Sequence, residues 1–339
     1  MERRPTIYDV AREAGVAPST VSRAYARPGR VNSDTAKAIF EVAERLGYRS
    51  TALGGATGAE RVATGSIALV IADVTNPFYA EIINGAYSAA HQAGYNLILS
   101  HTGESPTLER NAIEHEFAHV DGVVIASSRM SDSSLRMMAK QKAIVLLNRT
   151  IPEVNCVVSD NPRGVRRAAE HLGMLGHDTV TYVAGPETSW VDGIRWRSLR
   201  EAALELELKL KRIGPNQPNV QAGLRAARQV VESHATAVLA YNDQLAIGVI
   251  KGIQALGLRV PQDISVVGFD NIILDEIVSP ALTTVAAPLR AMGANGVTNC
   301  IAVAGGARTK GQPLLLPVKL IERESTAHRS AAGGGQRSR

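Results

Sequence analysis

The sequence predicts two fold classes in one chain: a small all-α headpiece over residues 1–49, then a larger α/β domain over residues 65–328. Three observations predict it. The first fifty residues place apolar side chains three and four apart, with caps and a glycine between the runs. From Ser66 short apolar runs of strand length alternate with helical patterns. Between the two lies a stretch, residues 50–64, with glycine at 54, 55 and 58. Regular alternation of strand and helix implies parallel sheets covered by helices on both faces.

The headpiece opens with Thr6, a helix cap whose partner three residues on, Asp9, completes a capping box. Ile7, Val10, Ala11 and Ala14 then share one helical face. Gly15 ends the helix, because only glycine takes the left-handed turn cheaply. Pro18 suits the first position of the next helix, which turns Val21 inward and leaves Ser19, Thr20, Ser22 and Arg23 on polar positions. A third helix is capped by Asn32 or Ser33, carries Ala36, Ile39, Phe40, Ala43 and Leu46 as its apolar stripe, and closes at Gly47. Two helices at a sharp angle, the second short, polar and basic, form a helix-turn-helix. The bland alternative is a three-helix bundle with no nucleic-acid role, and charge argues against it. Residues 1–49 hold nine Lys/Arg against six acids, the segment from Arg329 holds three arginines and no acid, and the rest is balanced within one charge. A basic headpiece beside a neutral domain is the footprint of DNA binding.

Composition narrows the classes further. At 339 residues and 45% hydrophobic the chain has room for two or three compact units. No opening apolar stretch reads as a signal peptide and no run approaches a membrane helix, so a cytoplasmic protein with no membrane partner is expected. Two cysteines, Cys156 and Cys300, suggest buried thiols and not a disulfide framework or zinc site. The eight histidines show no metal spacing. The arginine-, glycine- and serine-rich end, residues 329–339, is expected to be a disordered tail.

The run from Ile7-Tyr8-Asp9-Val10-Ala11 to Val21-Ser22-Arg23, then Val31-Asn32 and Leu46-Gly47-Tyr48, resembles the headpiece of the LacI/GalR family of bacterial transcriptional regulators. The resemblance continues through Asn242-Asp243 and the run Gly257-Leu258-Arg259-Val260-Pro261-Gln262-Asp263-Ile264-Ser265-Val266-Val267-Gly268-Phe269-Asp270, leaving out only the tail. It implies a homodimer on a near-palindromic double-stranded operator, with DNA contacts from Thr6, Pro18, Ser19, Thr20, Ser22, Arg23, Asn32 and Tyr48. Pro18 and Ser19 match the first two specificity positions, and Pro18 offers no donor there. In the linker, family members fold a hinge helix that wedges a leucine into the minor groove. Here Gly54, Gly55 and Gly58 each cost a helix about 1 kcal/mol. The leucine position falls on Thr57, and Leu53 serves as wedge only if the helix shifts.

Beyond the linker, strands are expected at Ser66-Ile67-Ala68-Leu69-Val70-Ile71-Ala72, Leu97-Ile98-Leu99, Gly122-Val123-Val124-Ile125-Ala126 and Ala143-Ile144-Val145-Leu146-Leu147. Three more follow at Val180-Thr181-Tyr182-Val183-Ala184, Ala237-Val238-Leu239-Ala240-Tyr241 and Ser265-Val266-Val267-Gly268-Phe269, with a short one at Val157-Val158, a final one around Val318 to Glu324, and helices near 79–93 and 108–119. No Gly-x-Gly-x-x-Gly follows the first strand, so no dinucleotide cofactor is indicated. The resemblance implies a periplasmic-binding-protein-like effector domain of two lobes, one about residues 65–160 and 288–318, the other about 161–287 and 319–328. Ligands of open α/β sheets bind at the carboxyl ends of strands. Strand ends carry Asp73, Asn76, Phe78 and Tyr79, then Asn148 and Asp160, a loop with Trp190, Asp192 and Arg195, and Asn242 and Asp270. By the resemblance Arg195, Asn242 and Asp270 match effector positions, and Asn148, Asp160 and the residues around Phe78 fall in or near the cleft. Such a set suits a sugar, sugar derivative or nucleoside: carboxylates and amides bind hydroxyls, and aromatic faces stack on rings. The same residues also read structurally, with Asp160, Asn242 and Asp270 as helix caps, Trp190 and Trp196 as core, and Arg195 as a solvated helix face.

Two other classes compete. An α/β hydrolase needs a nucleophile elbow of the Gly-x-Ser-x-Gly type, which is absent, and no catalytic residue is assigned. A solute-binding protein needs an export signal and has no use for a basic headpiece.

Overall fold

The computed structural model describes residues 6–26, 31–46, 63–307 and 311–329. Tyr48, Leu53 and Thr57, the Gly47 helix end, nearly all of the linker and residues 330–339 lie outside them. The chain divides into two compact units, 1–62 and 63–339.

The first unit packs three helices, α1 (Ile7–Glu13), α2 (Pro18–Ala26) and α3 (Ser33–Leu46). Thr6 caps α1, and the Asp9 carboxylate accepts from its backbone N–H at 2.8 Å and its hydroxyl at 2.6 Å. Gly15 takes φ +67° and turns the chain toward α2. Asn32 caps α3, its side chain accepting from the Asp34 N–H at 2.9 Å. Val10, Ala11, Val21, Ala24, Ile39, Val42 and Ala43 form the shared core. Each fully buried valine there contributes about 1.5–3 kcal/mol. One expectation fails: Phe40 is 38% exposed, and Val42 takes the inward place. At about 100° per residue Phe40 sits a full step round from Ile39, outside the stripe that Ala36, Ile39, Val42 and Ala43 bury.

The second unit holds two six-stranded sheets. The first is built from β1 (Ser66–Ile71), β2 (Asn96–His101), β3 (Gly122–Ala126), β4 (Ala143–Leu147), β5 (Asn155–Ser159) and β11 (Leu314–Leu316). Its spatial order is β11-β5-β4-β3-β1-β2, and every pairing is parallel. The second contains β6 (Thr179–Val183), β7 (Lys209–Ile213), β8 (Ala237–Ala240), β9 (Ser265–Asp270), β10 (Thr283–Ala286) and β12 (Lys319–Ile321). Its order is β12-β10-β9-β8-β6-β7, with only β12 antiparallel. The central strands are buried on both faces, which is why they read as unbroken apolar runs.

Helices α4 (Pro77–Gln92), α5 (Pro106–Glu116), α6 (Asp132–Ala139) and α12 (Leu289–Ala304) cover the first sheet. Helices α7 (Asn161–Met174), α8 (Trp190–Glu205), α9 (Val220–Glu232), α10 (Asp243–Ala255) and the short α11 (Leu274–Ile277) belong with the second. The chain therefore passes between the sheets three times: from β5 into α7, from β10 into α12, and directly from β11 to β12. In each sheet the chain visits the edge strand and returns past its starting strand, so β1 and β3 flank one switch point and β6 and β8 the other. That is where the crevice of an open α/β sheet forms.

Three strands go beyond the expected set: β7, β10 and β11. Strand β7 is an edge with exposed Lys209, Lys211 and Arg212, so its alternation is masked by charges that also protect the edge from pairing. Cys156 and Cys300 are free and buried, and burial pushes the Cys300 thiol up to about 12.

Candidate functional site

Two surfaces carry the candidate residues. On the headpiece unit, the outer face of α2 exposes Ser19, Ser22 and Arg23, with Pro18 and Thr20 half-buried beside them. Val21 and Ala24 point the other way into the core. The helix is thus held by its apolar side while a short row of hydroxyls and one guanidinium faces outward, as reading of a major groove requires. Thr6 and Asn32 sit at the caps of α1 and α3 with their side chains engaged in those caps.

The second surface is a narrow cleft of about 20 Å³, where strand ends of both sheets meet. Seven of the sequence candidates line it: Asn76, Phe78, Tyr79, Asn148, Arg195, Asn242 and Asp270. Asn76 caps α4, its Oδ1 accepting from the Phe78 N–H at 3.0 Å, which sets the Phe78 and Tyr79 rings edge to face at 4.9 Å. Asn148 follows β4 at φ +60°, a left-handed position that asparagine tolerates. Asn242 caps α10 and also lines the cleft, its amide donating to the Pro218 carbonyl at 3.3 Å. Both readings of that residue hold together.

Arg195 is the best-tethered group. It is 3% exposed, lies 3.5 Å above the Phe269 ring, and donates from Nε to Asn161 at 2.9 Å and from Nη1 to the Tyr241 carbonyl. Its Nη2 stands 3.7 Å from Asp270, so all three nitrogens have protein partners. This is not a solvated helix face. Burial holds the Asp270 carboxyl well above the usual carboxylate range, with Arg195 opposing the shift. Asp270 is no helix cap: it ends β9 at φ +136°.

Three candidates stand elsewhere. The Asp73 carboxylate accepts from the Thr75 N–H and hydroxyl at 2.9 and 2.7 Å, closing the turn after β1. Asp160 caps α7 through the Arg163 N–H at 3.1 Å. Trp190 is half-buried against the core and opens α8, so the expected loop is helix from Trp190 on, begun by the Ser189 cap, and Trp196 stacks on Tyr182 at 5.6 Å. A carboxylate just before a helix meets orphan N–H groups one turn away sooner than it meets a cleft, which is why spacing alone could not separate the two roles.

Five lining residues were not among the candidates: Glu104, Ser127, Arg129, Pro218 and Tyr241. Glu104 and Arg129 follow β2 and β3 and form an ion pair, Nε to Oε2 at 2.6 Å. Burial works against the Arg129 charge, but the neighbouring Tyr241, Glu104 and Tyr79 outweigh it and hold its pKa raised. Behind them Glu109, 3% exposed, accepts from the Ser128 hydroxyl and from the Arg129 N–H at 2.8 Å. Arg149 donates to the Ser128 and Met130 carbonyls at 3.0 and 2.7 Å and pairs with Asp132. This buried network fixes the loop after β3, where Ser127 adopts φ +56°. On the opposite wall Asp192 accepts from Tyr182 at 2.9 Å, from the Gly185 N–H at 2.7 Å and from Arg212 at 2.7 Å. Gly185 is required there, since any Cβ would enter the Tyr241 ring. Tyr79 stays a neutral phenol, because burial, then the Glu104 charge, raise its pKa. The result is a polar cleft whose hydroxyls, amides and charged groups come from both sheets. Among the described residues no cluster of His, Cys, Asp or Glu is placed to hold a metal ion, and no helix is long and apolar enough to cross a membrane.

Comparison with known proteins fits this division. Residues 6–50 match the profile of bacterial regulatory proteins of the lacI family, and residues 169–326 match that of the periplasmic binding protein-like domain. The HTH-type transcriptional regulator DegA of Bacillus subtilis is 32% identical over 96% of this chain and 98% of its own length. Catabolite control protein A of Priestia megaterium is 32% identical over 85% of this chain and 89% of its own. Among solved structures, the lac repressor dimer bound to operator and an anti-inducer superposes with a TM-score of 0.71 at 25% identity, covering 96% of this chain and all of the other. The cellobiose complex of the transcriptional regulator CelR gives 0.71 at 27% identity, covering 95% of this chain and all of the other. With both profiles present in order and a regulator similar along nearly its whole length, the chain belongs to the LacI/GalR family of bacterial transcriptional regulators.

Proposed function

We propose that this regulator is a repressor that binds a near-palindromic operator as a homodimer and changes its operator affinity when a small hydroxylated effector enters the cleft. The observation that carries the reading is the cleft itself: amides, hydroxyls and paired charges from the strand ends of both sheets line one small volume. Relatives support the class of ligand, since CelR is complexed with cellobiose and a LacI family regulator of Enterococcus faecium with ribose. The lac repressor dimer on its operator supports the partner and the oligomer. The exposed α2 row of Ser19, Ser22 and Arg23 reads base edges and phosphates, and residues 50–64 serve as the linker. The protein acts by binding, a reading supported by its regulator relatives.

The three crossings between sheets act as the hinge about which the lobes close on the ligand. Coupling is reciprocal: a ligand that weakens operator binding is itself bound more weakly on the operator. A thermal-shift panel of sugars against the full chain, followed by anisotropy on operator DNA, tests the reading. A true effector at 100 times its Kd adds about 2.7 kcal/mol of stability. Asp270→Asn should remove that gain while leaving ligand-free DNA binding intact, and Arg23→Ala should cost about 1–3 kcal/mol of specific affinity. Full ligand stabilisation in Asp270→Asn rejects the cleft as the effector site.

A further inference from the structure

Arg129 differs from every other charged group in the cleft. Its side chain is 3% exposed, yet among the described residues its only side-chain hydrogen bond runs from Nε to Glu104. Nη1 and Nη2 make none, and the residue lines the cleft. A guanidinium offers two forks, one along its side and one at its end. Glu104 occupies the side, and the end fork stays open. Arg195, by contrast, has Nε, Nη1 and Nη2 all engaged by Asn161, Tyr241 and Asp270.

The end fork opens to the cleft, and the acceptor that matches two parallel N–H groups is an oxyanion. The loop that holds Arg129 is rigidly backed: the Glu109 carboxylate takes its backbone N–H, and Arg149 clamps the carbonyls on either side. The fork is therefore aimed before any ligand arrives, which lowers the ordering cost of binding. The local charge balance also favours an anion. Two guanidinia face Glu104 and Asp270, and burial drives the Asp270 carboxyl toward its neutral form. The remaining wall, with Asn76, Asn148, Asn242 and Tyr79, offers neutral donors and acceptors suited to hydroxyls.

We infer that the effector is an acidic sugar, a hydroxylated small molecule carrying one oxyanion that Arg129 receives end-on. This inference rests on the reading of the cleft as the effector site. A carboxylate and a phosphate satisfy the same fork, and the experiment separates them. The full chain is titrated by calorimetry and thermal shift with matched sets: glucose, gluconate and glucose 6-phosphate; galactose and galacturonate; ribose and ribose 5-phosphate. An acid that binds at least about tenfold tighter than its neutral parent is the expected result, and the better of carboxylate or phosphate identifies the oxyanion. Arg129→Gln should abolish that preference, and Arg129→Lys should restore only part of it, since it keeps the charge but not the fork. Because Arg129→Gln leaves Glu104 unpaired, the Glu104→Gln/Arg129→Gln double variant is measured alongside, and its loss of preference at unchanged ligand-free stability excludes misfolding as the cause. A neutral parent that binds as tightly as its acid overturns the inference and leaves the cleft reading standing. Binding by no member of the sets overturns both.

Discussion

Asp275 is completely buried, and neither of its carboxylate oxygens meets a hydrogen-bond donor. Its neighbour is Asp243, which already accepts from the Thr284 hydroxyl at 2.6 Å and from the Asn271 and Ile272 N–H groups at 2.6 and 3.2 Å. The shared proton therefore sits on Asp275, which donates it to the Asp243 anion. Burial first, and the Asp243 charge second, push the Asp275 carboxyl up to about 10. An unfolded aspartate titrates near 3.9. Between those values the folded chain holds one proton more than the unfolded chain, so this group's contribution to stability falls as pH rises, by up to about 1.4 kcal/mol per unit. Asp275→Asn replaces the acid's proton with an amide N–H that does not titrate. Urea unfolding at pH 6 and pH 9 should show the variant gaining on the parent by about 1–4 kcal/mol across that interval, and an unchanged gap would place the proton elsewhere. At this scale the sequence revealed the residues that sit at the ends of recognisable strands, such as Asn148 and Asp270. It concealed Glu104 and Arg129, because loop charges have no period and look like ordinary surface until the fold buries them.

Helix pairs in the second unit are set by close backbone approach. Against α9, a Cβ on Gly248 of α10 would fall on the Val220 carbonyl oxygen, and one on Gly223 would fall on the Leu245 carbonyl oxygen. Helix propensity alone favours Gly→Ala by about 1 kcal/mol. Overpacking against backbone costs about 1–3 kcal/mol, so it wins at this position. Gly193 in α8 has nothing within 4 Å of its would-be Cβ. Gly248→Ala should thus destabilise by up to about 2 kcal/mol net and Gly193→Ala should stabilise by about 0.5–1 kcal/mol. Chemical denaturation of the two variants checks this, and equal effects would mean that α10 can move off α9. The elements themselves were legible wherever apolar runs were buried on both faces. Strands β7, β10 and β11 escaped notice because they are short or edge-placed, and their pairing comes from neighbours distant in sequence. The Phe40 stripe failed for a related reason: with several apolar residues on α3, only the packed partner decides which one faces in.

Over the whole second unit, the last described residues fasten the second sheet. Ser325 accepts from the Thr283 N–H at 2.8 Å, donates to the Val266 carbonyl at 2.6 Å, and its own carbonyl takes the Val266 N–H at 2.8 Å. His177 sits between Thr236, Ser265 and the Ala327 carbonyl, and burial lowers its pKa so that it stays neutral. Arg329 pairs with Asp178 at 2.7 Å, and its backbone N–H reaches the Leu175 carbonyl, so the expected tail is tied down at its first residue. Ending the chain after Glu324 would orphan several buried groups, each worth about 1–3 kcal/mol. A melting temperature lowered by roughly 5–15 °C is expected for a unit of this size, and an unaltered one would show that these contacts are dispensable. The two-lobed architecture was legible from strand alternation together with the family resemblance, whereas this fastening was not, because it joins residues such as Thr283 with Ser325 and His177 with Ala327, 42 and 150 apart in sequence.

The interleaving of the two sheets sets a timetable for the nascent chain. The first lobe waits for α12 and β11, and the second for β12, so everything from Leu289 to Ile321 serves to finish both. While the ribosome is still working through that stretch, β5 and β10 present open edges and α4 presents the apolar side that α12 will cover. The lobes mature together, and a ribosome stalled between Leu289 and Leu314 leaves two unfinished sheets instead of one finished lobe and one stump.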